Sequence, residues 1–105
     1  METNGEKYEL VYLSEASEEY QKLDGTEKIF VDKGLQRIMI LGMQAGQPLP
    51  GSLIKCHKLK NKRMGLRIVF RQENREIMII QIIAIGKRAD KKVYQDAVRR
   101  LDKLR

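Results

Sequence analysis

The sequence predicts an α+β domain: a mostly antiparallel, twisted sheet with an N-terminal helical hairpin packed on one face and a C-terminal helix. Three observations carry that expectation. Two stretches of helical periodicity meet at Asp24-Gly25. Three strand-like stretches then follow in succession, separated by turns short enough for hairpins, and a last helical pattern closes the sequence. At 105 residues the chain has the size of one compact domain with one modest core, so residues 1–105 are expected to form a single domain.

The elements read as follows. Residues 8–13, rich in aromatic and aliphatic side chains, form an opening strand. Ser14 is the expected N-cap of a helix over about 15–23, with Ala16, Tyr20 and Leu23 as its buried stripe. Thr26 is the expected cap of a second helix over 27–41 that stops at Gly42. Phe30, Gly34, Ile38 and Leu41 line one of its faces, widened by Ile29, Val31 and Leu35. Residues 42–51, with two prolines and three glycines, read as a loop. Strands are expected over 53–61, 66–71 and 77–85. Asp90 is placed to cap a closing helix over 91–104, apolar at Val93, Ala97, Leu101 and Leu104.

Charge divides the chain. Residues 1–32 hold nine acids against three bases, a net of −6, whereas the whole chain is +7. Between Gly51 and Gln72 there is no acid, yet there are seven bases: Lys55, Lys58, Lys60, Lys62, Arg63, Arg67 and Arg71. Such a block repels itself unless something anionic faces it, and nucleic-acid phosphate is the usual partner. Alternation along a strand puts Lys58 and Lys60 on one face and His57 and Leu59 on the other; Arg67 alternates with Leu66 and Ile68. With the apolar set on the helices, Lys58, Lys60 and Arg67 are expected together on the opposite, open face. Tyr94, early in the closing helix, is either an ordinary half-buried tyrosine or an aromatic group near the cations; spacing leaves both open.

Other chemistries fare poorly. One histidine and one cysteine cannot build a His/Cys metal site, and no phosphate-cradling glycine motif is present. Cys56 and His57 look like nucleophile and base, but adjacent strand residues point to opposite faces. The single cysteine suits a reducing cytosol, no basic-then-apolar leader opens the sequence, and its apolar runs are too short to span a bilayer. A cytoplasmic protein without a membrane partner, metal or cofactor is expected.

Taken together, Lys22-Leu23-Asp24-Gly25, Leu49-Pro50-Gly51, Cys56-His57-Lys58-Leu59-Lys60, the stretch from Gly65 to Phe70, Ile85-Gly86-Lys87-Arg88 and Val93-Tyr94 resemble the RelE-type mRNA interferases of bacterial toxin–antitoxin modules. Each motif is weak, but their order and spacing cover nearly the whole chain. The resemblance implies a ribosome-dependent endoribonuclease whose site is two lysines alternating on a strand, an arginine on the next strand, another just after the last strand, and a C-terminal tyrosine. Lys58, Lys60, Arg67, Arg88 and Tyr94 fill those positions. Lys55, Lys62, Arg63, Arg71 and Lys87 would then contact RNA and the ribosome. The implied partners are mRNA on the ribosome, ribosomal RNA and a cognate antitoxin. The departures are the histidine beside the first lysine and a longer basic turn over 61–64. The same fold hosts ParE-type toxins that poison DNA gyrase without a nuclease site, and an inactive RNA-binding relative would also keep the charge. The implied reaction is metal-independent attack of a 2′-hydroxyl on the adjacent phosphorus, with Lys58 or Lys60 as the base.

Overall fold

Two helical stretches and a run of strands resolve, in a computed structural model that describes residues 7–74 and 76–104 apart from the Asp90 side chain, into a sheet with helices on both faces. In chain order the strands are β1 (Glu9–Tyr12), β2 (Gln47–Pro48), β3 (His57–Asn61), β4 (Leu66–Arg71) and β5 (Ile79–Lys87). The helices are α1 (Ser14–Gln21), α2 (Gly25–Leu41) and α3 (Lys92–Lys103). The sheet order is β1-β5-β4-β3-β2; β1 runs parallel to β5 and every other pair is antiparallel. A parallel pair needs a long crossover, and here the whole helical and hairpin region lies between β1 and β5 in sequence. No helix among the described residues is long and apolar enough to cross a membrane.

Alternation sorts the strand residues between two cores. Leu66, Ile68, Phe70, Ile80, Ile82 and Ile85 pack with Ala16 of α1 and Val31, Leu35 and Ile38 of α2. Cys56, Val69, Ile83 and Ala84 pack on the other face beneath Val93 and Ala97 of α3, with Leu49 and Leu53 alongside. The register of β4 on β5 shifts between Val69 and Phe70, whose partners are Ala84 and Ile82. One residue of β5 is therefore extra, so the consecutive Ile83 and Ala84 both face α3 while Ile82 and Ile85 face the hairpin.

Several boundaries differ from the sequence reading for identifiable reasons. The N-cap of α1 is Leu13, and Ser14 is already helical without a side-chain cap bond. α2 is capped by Asp24, not Thr26: the Asp24 carboxylate accepts from Glu27 N–H at 2.8 Å, and the Glu27 carboxylate accepts from Asp24 N–H at 3.0 Å. Within α2, Ile29 and Leu41 face outward, and the buried stripe is Val31, Leu35 and Ile38. The expected loop contains a 3₁₀ turn (Gly42–Ala45) and β2. The strand expected from residue 53 begins at His57, because Gly51–Leu53 form a second 3₁₀ turn that buries Leu53 under α3. The last strand runs two residues further than expected, carried by pairing of Leu66 with Lys87. α3 follows a 3₁₀ turn (Ala89–Lys91) and has Lys91 at its N-cap with φ 57°; the Asp90 side chain, the expected cap, lies outside the described residues.

The joint between the layers is ionic. β1 pairs with β5 only as far as Ile82, leaving the outer edge of β5 without a neighbouring strand beyond it. Glu19 of α1 accepts the Ile85 N–H at 3.0 Å and receives both Arg100 Nη1 and Nη2 of α3, at 2.9 and 2.8 Å. Arg100 Nη1 also donates to the Ile83 carbonyl at 3.0 Å, and its side chain is 6% exposed. Removing one partner of a buried pair strands the other without water or counter-charge. Glu19→Ala is expected to lower folding stability by about 3 kcal/mol, read as a fall in the urea midpoint with the denaturant slope unchanged.

Candidate active site

The basic residues divide between two ends of the sheet. Lys60 pairs with Arg67, and Arg67 pairs on its other side with Gly86, so β3, β4 and β5 present this row side by side. Arg88 joins the same end, since its backbone N–H donates to the Gly65 carbonyl at 2.8 Å and ties the strand exit to the β3–β4 turn. That turn is itself set by the Asn61 side chain, which accepts from Met64 N–H at 3.0 Å, and by Gly65 at φ +69°, a conformation that favours glycine. Lys62 and Arg63 stand exposed in the turn, beside the row.

α3 supplies the remaining member. The Lys58 ammonium lies 5.8 Å from the centroid of the Tyr94 ring, a cation–π distance. The first turn of α3 rests directly on the strand here: a Cβ at Gly86 would lie in van der Waals contact with the Val93 side chain, at 3.6 Å. The face expected to be open is therefore covered along much of its length by α3, whose apolar stripe needs a partner as much as the sheet does. Arg67 is only 8% exposed in consequence, and its Nη1 donates to the Leu66 carbonyl at 3.0 Å. Two buried polar atoms here lack a hydrogen-bond partner, Arg67 Nε and the Tyr94 hydroxyl. Buried donors are normally satisfied, so both are suited to an incoming ligand.

Among the described residues, none of Lys58, Lys60, Arg67 and Arg88 is in an ion pair. Crowding of like charge has a measurable consequence. The Lys60 ammonium is held below the ordinary lysine range, first by the charge of Lys62, then by partial desolvation, then by Lys58, Arg67 and Arg88. A lysine so placed gives up its proton more readily than a free one.

The other expected contact residues are spread out. Lys87 projects to the hairpin side and lies 3.5 Å from the Glu27 carboxylate. Lys55 is exposed in the turn before β3 rather than on a strand, and Arg71, at the far end of β4, donates from Nε to Gln81 at 2.8 Å. Arg71 lies four residues along the strand from Arg67, about 13 Å. Cys56 and His57 part as their alternation requires. Cys56 is fully buried under α3 with its thiol pushed up by burial, while the His57 Nδ1–H donates to the Met43 carbonyl at 2.7 Å on the other face. The structure thus brings together Lys58, Lys60, Lys62, Arg67, Arg88 and Tyr94. Among the described residues, no three His, Cys, Asp or Glu side chains are grouped to hold a metal ion.

Comparison with known proteins points the same way. No family model matches the sequence. The mRNA interferase toxin RelE of Escherichia coli strain K12 is 28% identical over 94 residues, covering 90% of this chain and 97% of that protein. The mRNA interferase RelE of Shigella flexneri matches to the same extent. Among solved structures, a mutant of the E. coli toxin RelE in the free state superimposes with a TM-score of 0.73 at 29% identity, covering 90% of this chain and 98% of that one. A chain of the intact E. coli RelBE toxin–antitoxin complex gives a TM-score of 0.65 at 27% identity over 76% of this chain and 95% of its own length.

The charge cluster makes its own prediction, independent of any reaction. Lys62→Ala removes the largest charge acting on Lys60, so the Lys60 pKa is expected to rise toward the free-lysine value. Arg63→Ala, whose charge is not among those acting on it, leaves the value in place. Side-chain NMR titration of the lysine ammonium groups reads both outcomes.

Proposed function

We propose, for a chain that is RelE-type in both sequence and fold, that it is the endoribonuclease toxin of a type II toxin–antitoxin pair, acting in the cytoplasm on messenger RNA during translation. The observation that carries this reading is the unpaired group of Lys58, Lys60, Arg67 and Arg88 around Tyr94, with two buried donors left for a ligand. A site built only of cations and a phenol suits a polyanion whose charge grows during reaction.

The 2′-hydroxyl of one nucleotide attacks the adjacent phosphorus while the 5′-oxygen departs, and no metal takes part. Lys60 is the base, since its surroundings favour the neutral amine. Arg67, held rigid by burial and with Nε unsatisfied, and Lys58 stabilise the charge on the pentavalent phosphorus. Arg88 stabilises the charge developing on the leaving 5′-oxygen, which takes its proton from water as the 2′,3′-cyclic phosphate forms; a guanidinium is too weak an acid to supply it at neutral pH. The Tyr94 hydroxyl orients the 2′-hydroxyl or its ring stacks on a base. Acid–base chemistry of this kind is weak, so the ribosome contributes by holding the message in line for attack. Lys62 and Arg63 at the rim, together with Lys55, Arg71 and Lys87 elsewhere, contact the RNA of that assembly.

Arg88→Ala is expected to bind ribosomes normally yet cut their mRNA about two to three orders of magnitude more slowly. Single-turnover cleavage alongside co-sedimentation checks it, and near-normal cutting would remove Arg88 from the site. Because Lys60 acts as the neutral amine, its cleavage rate rises with pH through the Lys60 titration, and Lys62→Ala moves that rise to higher pH. Intact message with supercoiling defects after induction would instead favour a gyrase poison.

An antitoxin is the natural neutraliser of a cationic site with no acid paired to it among the described residues, and solved complexes of the E. coli toxin contain one. Co-expression of the neighbouring open reading frame is expected to restore growth and yield a stable complex on size exclusion. Free expression of the toxin alone with undiminished translation contradicts the pairing or the toxicity.

A further inference from the structure

A groove of about 380 Å³ lies on the hairpin side of the sheet, between α2 and the outer edge of β3. β2 covers β3 only at His57 and Lys58, so Leu59, Lys60 and Asn61 line the groove from an uncovered edge. On the opposite wall, Phe30, Lys33 and Arg37 follow one another at helical spacing and form a single ridge. Gly34 seals the back, since α2 sits so close that a Cβ there would meet Leu59 Cδ2 at 3.0 Å and Ile68 Cδ1 at 3.1 Å. The lining contains no acid; Lys33 and Arg37 are its facing cations, and Lys60 lines it from the β3 edge with its side chain on the α3 face.

We propose that this groove is a nucleotide subsite, holding a base and phosphate of the RNA strand that is cut, next to the scissile position. The proposal rests on the ribonuclease reading above. Lys60 belongs both to the groove and to the cation cluster, so a strand crossing the β3 edge passes from one to the other without leaving positive potential. Lys33 and Arg37 supply phosphate contacts. The Lys33 ammonium already lies 6.0 Å from the Phe30 ring centroid, so a base entering beside Phe30 meets an apolar surface with a cation at its edge. The volume falls within the range of small-ligand pockets, roughly 300–1,000 Å³. An acidic peptide added to the strand edge is the competing occupant, but only residues 59–61 are uncovered before the turn, the short end of the roughly three to ten residues usual for a strand.

Lys33 and Arg37 are exposed, so Lys33→Ala plus Arg37→Ala leaves the core intact. Fluorescence anisotropy with a short 2′-O-methyl oligoribonucleotide, which binds but cannot be cut, is measured across a salt series for both proteins. Loss of the contacts to that phosphate on a single strand is expected to reduce the slope of log affinity against log salt by about 0.7. An unchanged slope overturns the subsite. On programmed ribosomes, mRNA carrying 4-thiouridine beside the cleaved position is expected to cross-link to α2; cross-links of α2 to ribosomal RNA alone overturn it. Cleavage of native mRNA by the unaltered protein is scored separately. Cross-linking to α2 without any cutting defeats the ribonuclease reading and leaves the groove as an RNA subsite, whereas neither cross-linking nor cutting on programmed ribosomes defeats both.

Discussion

Beyond Ile82 the outer edge of β5 has no strand beside it, and its peptide groups must find partners among side chains or remain buried and unpaired. Glu19 and Arg100 provide them, reaching from helices on opposite faces of the sheet and separated by 81 residues in sequence. A bidentate guanidinium–carboxylate pair is directional, so it fixes the rotation of α3 as well as its distance. Asp96, one turn earlier on α3, accepts from Arg99 at 2.8 Å and Lys92 at 3.0 Å, so the helix's own charges are largely settled before it docks. Tyr94 lies between Lys92 and Asp96. Its place over Lys58 is therefore inherited from a contact made at the other end of the helix.

The extra residue in β5 is the second geometric device. Without it, strict alternation would turn Ala84 or Ile85 toward the wrong core. With it, Ile83 and Ala84 both feed the α3 layer, and Gly86 arrives on that same face against Val93 in the first turn of α3. The bulge thus ties the packing of the far half of β5 to the approach of α3 over Arg67. Burial of that arginine follows, and with it the rigidity of a cation that would otherwise be a mobile surface group.

Charge is segregated by layer as well as by sequence. Acids of the N-terminal third serve the hairpin: Asp24 and Glu27 cap α2, Asp32 accepts from the Tyr20 hydroxyl at 2.6 Å, and Glu19 anchors α3. Only two cations from β5 onward reach these acids in the described ion pairs, Lys87 to Glu27 and Arg100 to Glu19. The cluster around Lys60 has no acid paired with it among the described residues, and its like charges hold the Lys60 ammonium below the ordinary lysine range.

Periodicity was enough to identify the three helices and every strand but β2, because apolar spacing of two or about 3.6 residues reflects burial against a neighbour and survives without knowledge of that neighbour. The pairing of Lys58, Lys60 and Arg67 on one face was legible for the same reason: alternation in adjacent hairpin strands is a local rule. The Asp24–Glu27 cap was also written in the sequence, as Asp followed three residues later by Glu, but was read as a plain turn. What spacing could not give was anything set by contact between distant segments. The start of β3 at His57 depends on Leu53 being drawn under α3, and the covering of the basic face depends on where α3 docks. Whether Tyr94 is an ordinary helical tyrosine or a neighbour of Lys58 turns on the Glu19–Arg100 contact, which no local pattern encodes. The sequence by itself determined which residues share a face; only the tertiary structure decided which faces meet, because that choice is made by long-range packing and by hydrogen bonds that unpaired strand edges demand.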